Sequence, residues 1–186
     1  WYPDAFPTWG GGDPFRAAAL RATHSDGTTT TRLVVDSIRR SSLDALDGAV
    51  EDGEHVVVTC VDEELAFTVE RHLRTHPASS VLEQWVEIVH DEPAPVRLFD
   101  YDSIAPLVVV TPDAELCQFS GGGWADEWKW STEPLTHGLT TLSSLGGLQP
   151  HLQRDPCLLV SPFGPSTEHS GDVLGLSIAW GGNIRF

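Results

Sequence analysis

Basic residues are scarce in this chain. Eleven Lys and Arg stand against 27 Asp and Glu in 186 residues, a formal net charge of −16. Nucleic acids and anionic membrane surfaces are held by clustered Lys and Arg, so this balance argues against both as partners. Cysteine is nearly absent too. Cys60, Cys117 and Cys157 are odd in number, widely spaced and in no Cys-x-x-Cys or zinc-ligand pattern. They read as small hydrophobes in a reduced, cytoplasmic-type protein. No apolar run reaches about 18 residues, which excludes a membrane-spanning helix. A signal peptide is not visible either. The chain opens on Trp1 rather than Met, which reads as a piece of a longer polypeptide. Its length suffices for one domain with a sizeable core.

What the sequence does have is strand signal. Residues 16–25 and 28–36 flank Asp26-Gly27, a dipeptide suited to a tight hairpin turn. Four consecutive threonines, Thr28 to Thr31, lead into Leu33-Val34-Val35, a largely β-branched run ill suited to helix. Asp52-Gly53 leads into 55–61, after which Leu65, Phe67 and Val69 alternate with Ala66, Thr68 and Glu70 at the period of a half-buried strand. Further strands are expected over 80–90, 96–101 and 106–111, and 157–161 and 173–180 as paired inner strands. A helix is credible only at 41–46, where Ser41-Ser42-Leu43-Asp44 could cap one short turn. Residues 120–147 read as a long polar loop. Ten or more strands with turn signals every 8–12 residues predict an all-β sandwich or barrel, one domain spanning 1–186.

The densest chemical signal lies at 121–130, Gly-Gly-Gly-Trp-Ala-Asp-Glu-Trp-Lys-Trp, which holds three of the seven tryptophans. Trp124, Trp128 and Trp130 offer flat apolar faces and Asp126 and Glu127 offer acceptors. A pyranose, with its apolar CH face and hydroxyl rim, needs that pairing; core or interface filling is the plainer reading of the same tryptophans. Other constellations are weaker. His72 and His76 stand four apart outside any helix, a spacing read as placing them on different faces, so no metal site is expected. His137 and His151 lie near the Trp-rich loop but read as surface residues. Ser120 lacks a Gly-x-Ser-x-Gly setting, the cysteines lack basic neighbours, and the glycine triplets at 10–12 and 121–123 are not followed by Gly-Lys-Ser/Thr. Glycosidic carboxylate pairs stand roughly 5–5.5 or 6.5–9.5 Å apart. Asp100 and Asp102 would share one side of a strand, yet a solvated acidic face explains them as well.

Four stretches, taken in order, resemble the amino-terminal domain of glycoside hydrolase family 36, the retaining α-galactosidases. They are 6–16, running from Phe6 through Trp9 to Arg16; 120–127, from Ser120 through Trp124; 142–160, with Ser143-Ser144, His151 and Asp155-Pro156-Cys157; and 171–183, from Gly171 through Trp180 to Asn183. The likeness covers nearly the whole chain from about residue 6. It implies a β-supersandwich of the galactose-mutarotase-like type, placed before a (β/α)₈ barrel that carries the aspartate nucleophile and acid/base beyond Phe186. This chain alone would then be inactive, with no catalytic residue, metal or cofactor of its own. The resemblance implies that Trp124 lines the terminal-galactose subsite. Trp9 and Asp126 are further candidates, although Asp126 stands where the family motif has arginine. Implied partners are α-galactoside oligosaccharides, the chain's own C-terminal barrel and further copies in a homo-oligomer, commonly a tetramer. Two other readings stand beside it. One is a free-standing carbohydrate-binding β-sandwich module whose Trp cluster is the whole site. The other is a mutarotase-type epimerase, which would need a His and Glu pair, with His72 or His90 as nominees.

Overall fold

The computed structural model describes residues 6–10, 16–43, 53–121, 124–126, 128–147 and 154–186, and every statement of absence below is made of these residues. The chain is all-β with antiparallel sheets, as its composition predicts. The described helical structure is a single 3₁₀ turn at Pro77–Ser79. Contacts divide the chain into two compact units, Trp1–Leu107 and Val108–Phe186.

The first unit holds a two-stranded and a four-stranded sheet. β1 (Leu20–Thr23) pairs with β6 (Arg97–Tyr101), while β2 (Leu33–Ser42), β3 (Glu54–Asp62), β4 (Phe67–His76) and β5 (Val81–His90) form an antiparallel meander. Period-two alternation sorts the meander's side chains. Phe67 and Val69 on β4 are buried and join Phe6, Ala19 and Leu20, with Leu33, Val86 and Ile88 packed around them. Thr68, Glu70, His72, Arg74 and His76 point to the opposite face. β2 is an edge strand whose register shifts at Asp36, a bulge that leaves Val34, Val35 and Ile38 exposed.

The second unit carries the sheet β11-β10-β7-β8, made of β7 (Glu115–Ser120), β8 (Lys129–Pro134), β10 (Arg154–Ser161) and β11 (Leu174–Ser177). A short pair joins β9 (Ser143–Ser144) to β12 (Ile184–Arg185). Leu116, Leu142 and Leu158 form its core with Leu135, Val160, Leu176 and Phe186. The β7–β10 ladder skips residues 155–157, where Pro156 has no N–H to donate; its carbonyl instead accepts from Ile178.

Five expectations need correction. Asp26-Gly27 does make a turn, with Gly27 at φ +88 and Asp26 accepting from the Thr28 N–H, but the flanking strands pair elsewhere: β1 with β6 and β2 with β3. Ser41 and Ser42, expected to cap a helix, end strand β2 instead, opposite His55 and Glu54; Asp44 to Leu46 lie outside the described residues. Residues 106–111 form no strand. Pro106 and Pro112 cannot donate to a ladder, and Leu107 and Val109 are exposed. The long loop at 120–147 contains β8 and β9. Cys157 and the residues after it do pair with β11, yet β11 is an edge strand rather than an inner one.

Candidate functional site

The aromatic turn grows from the end of β7 and the start of β8. Phe119 and Trp130 are opposite one another in the ladder, and Phe119 meets the edges of both Trp130 (5.1 Å) and Trp128 (5.3 Å). Between the strands the backbone reverses through the left-handed region at Ala125 (φ 61) and Trp128 (φ 59), a conformation that side chains with a Cβ take up rarely. Two consequences follow. Trp128 and Trp130 are anchored against Phe119, as expected of packing residues, although both keep more than half of their surface open. Trp124 stands at the apex, 95% exposed. Asp126, on the same turn, accepts an ion pair from Lys129 Nζ at 2.6 Å. The structure thus brings Trp124 and Asp126 onto one turn; Glu127 lies outside the described residues.

Trp9 belongs to the first unit and sits on a framework of buried polar bonds. Its N–H donates to the Leu20 carbonyl and its own carbonyl accepts from Thr31 N–H, both at 3.0 Å. The Thr8 hydroxyl donates to the Thr31 carbonyl at 2.6 Å. Thr31 Oγ1 in turn bonds His24 Nε2 at 2.8 Å, and His24 Nδ1 meets Glu92 Oε1 at 2.7 Å. Both side chains of that pair are buried. Burial pushes the Glu92 carboxyl up, but the Ser25 amide and the His24 ring outweigh it and hold Glu92 below the usual carboxylate range. Trp9 itself is half exposed, with the Arg21 guanidinium 5.1 Å from its ring centroid.

The remaining nominees scatter. Asp100 is engaged by Arg21 at 3.1 Å, as an acidic surface strand should be. His90 and His137 are exposed, and His151 lies outside the described residues. The three cysteines form no disulfide among the described residues; burial, with Asp155 second, pushes the Cys157 thiol up, which makes it a poor nucleophile. His72 was misjudged by spacing alone. On β4, residues four apart share a face, and both His72 and His76 point to the same side of the meander. Cross-strand register, invisible to spacing, then sets His55 and Trp85 beside His72. Burial, with help from the His72, Arg74 and Arg39 charges, holds His55 below its ordinary range. No helix among the described residues is long and apolar enough to cross a membrane.

The described residues are all-β and present an exposed aromatic turn, while the hydroxyl–imidazole–carboxylate chain Thr31–His24–Glu92 is buried. The chain belongs to the glycosyl hydrolase family 36 N-terminal domain family, whose model matches residues 2–186. Its fold is shared with solved α-galactosidases. One from Geobacillus stearothermophilus superposes with a TM-score of 0.83 at 21% identity, over 97% of this chain and 25% of that one. One from Lactobacillus brevis gives 0.84 at 23%, over 97% and 25%. A variant of a second G. stearothermophilus α-galactosidase, solved in complex with stachyose, gives 0.82 at 21%, over 97% and 26%. Among curated proteins, none matches significantly. The chain thus spans about a quarter of the length of the solved relatives.

Proposed function

We propose that this chain acts, as a single β domain, at the amino-terminal end of a retaining, exo-acting α-galactosidase. In this reading a following (β/α)₈ barrel supplies the aspartate nucleophile and acid/base. Trp124 forms one wall of the terminal-galactose subsite, and the domain helps to hold a homo-oligomer together. Asp126 and Trp9 are secondary contacts. Substrates are α-galactoside oligosaccharides, the class to which the stachyose and raffinose bound by relatives belong. Three thiols in no disulfide among the described residues support a reducing compartment such as the cytoplasm.

The observation that carries this reading is the family match over 2–186, joined to the 95% exposure of Trp124. A tryptophan held on a turn with its whole face open is shaped to be covered by something else. A sugar stacked on that face and fixed by the barrel would be poised for in-line displacement, with positioning as the domain's share of catalysis. The test uses the full-length enzyme. Trp124→Ala should lower kcat/KM toward an α-galactoside by roughly 5–150-fold, the equivalent of about 1–3 kcal/mol of lost stacking and packing. Unchanged kinetics in a folded variant would demote Trp124 to a structural residue. A wild-type enzyme inert toward α-galactosides would overturn the substrate class.

A carbohydrate-binding module is the second reading, favoured by the same exposed turn with its neighbouring Asp126 carboxylate. It requires the isolated chain to bind galactosides unaided.

A further inference from the structure

The outer face of the β3–β4–β5 meander carries a cluster that the sugar-binding reading does not use. His72, on the central strand β4, is 8% exposed, and its ring stacks on Trp85 (centroids 4.6 Å apart, 11° between planes). Its Nδ1 is bonded to His55 Nε2 at 3.1 Å. Its other nitrogen, Nε2, is buried with no hydrogen-bond partner. Leaving a buried imidazole nitrogen unsatisfied is costly, and such an atom calls for an explanation.

That nitrogen faces two carboxylates without closing on either. Glu87 Oε1 lies 3.4 Å away and Glu70 Oε2 lies 3.8 Å away. Elsewhere in this chain a buried histidine and glutamate do close, His24 onto Glu92 at 2.7 Å. Ligands held at about 2.0–2.2 Å in tetrahedral geometry stand roughly 3.3–3.6 Å apart. The 3.4 Å separation fits ligands sharing one metal ion, and the 3.8 Å one lies just beyond that spacing. Here one donor atom each from Glu70, His72 and Glu87 falls within 4.8 Å of the others.

The surroundings fix the donors. In the tautomer whose His72 Nδ1–H donates to His55 Nε2, the His72 Nε2 lone pair points to the gap, the arrangement that an outer hydrogen-bond acceptor gives a metal-bound imidazole. Glu70 Oε1 accepts from Arg39 Nη2 at 3.0 Å and from Thr59 Oγ1 at 3.3 Å, which leaves Oε2 for the gap. Trp85 Nε1 reaches Glu87 Oε1 at 3.4 Å. Glu70 and Glu87 are directly opposite each other in the β4–β5 ladder. Like charges facing across strands repel, and a cation between them reverses that sign.

We propose that Glu70, His72 and Glu87 form a binding site for a divalent transition cation, zinc being the best-fitting probe. One imidazole nitrogen and two carboxylate oxygens suit a borderline ion such as zinc, whereas calcium and magnesium favour oxygen alone. Glu87 lies on the open side, so solvent completes the coordination. The ion pins β4 to β5 on the face opposite the core.

The test takes the full-length polypeptide stripped with a chelator, and its Glu87→Gln variant, in which the exposed carboxylate is replaced by its isostere. Zinc uptake is counted by equilibrium dialysis with elemental analysis, and melting is followed with and without zinc. Wild type should bind one equivalent more than Glu87→Gln, and zinc should raise its Tm by several degrees more than the variant's. Without zinc the variant should melt no lower than wild type, because losing the Glu87 charge relieves its repulsion with Glu70. Glu70→Gln, bearing the other carboxylate, should lose the same equivalent. Equal uptake in wild type and both variants, or no uptake in wild type, overturns the site.

Discussion

A buried glutamate gives the clearest expectation at the level of single residues. Glu92 is held below the ordinary carboxylate range by the Ser25 amide and the His24 ring against the opposing effect of burial. A depressed carboxyl contributes stability that is present above its unfolded-state pKa and is lost as pH falls through the folded one. Glu92→Gln should therefore lower the unfolding free energy at neutral pH. The gap between wild type and variant should close on acidification through and below the carboxylate range, as read by urea titrations at a series of pH values. A gap that stays constant with pH would mean that the ionised form is not what stabilises. The same network holds Trp9 through Thr31, so this pair sets the position of a nominated aromatic some way along the chain. Residue identity marked Trp124 and Trp9 as candidates. It could not reveal His72, whose neighbours His55, Trp85 and Glu87 come from other strands.

Among the elements, those made by local pattern were read well and those made by partnership were not. Strands β3, β4 and β5 follow from alternation and β-branched runs, and each was expected within a residue or two of its bounds, save that β4 continues through His76. Strand β8 was missed because Lys129-Trp130-Ser131-Thr132-Glu133 carries no apolar period; it exists because β7 offers it an edge. Turn chemistry marked Asp26-Gly27 correctly, yet a turn does not say which strands it joins. Asp52-Gly53 shows another limit. Asp52 lies outside the described residues, while Gly53 is required by crowding: a Cβ there would fall 2.2 Å from the Thr75 carbonyl oxygen and 2.8 Å from Leu43 Cδ1. Gly53→Ala should push the β3–β4 end apart and destabilise by about 1–3 kcal/mol, seen as a lower denaturant midpoint with an unchanged slope. A wild-type midpoint would mean that this end of the meander yields freely.

For the molecule as a whole, the decisive comparison is between the chain alone and the longer polypeptide proposed to contain it. If Trp124 is one wall of a shared pocket, the 186-residue chain should neither cleave raffinose nor give a saturable change in tryptophan fluorescence as raffinose is added. Saturable binding by the chain alone would favour the carbohydrate-binding module. The edge strand β2 bears on that comparison in a further way. Its bulge at Asp36 interrupts a ladder along which Val34, Val35 and Ile38 are bare. Bulges and inserted charges are how an open sheet edge avoids templating another chain. Deleting Asp36 should therefore restore a continuous, flatter edge and lower the concentration at which copies of the protein begin to assemble into fibrils, followed by light scattering. An unchanged threshold would mean that the bulge guards nothing.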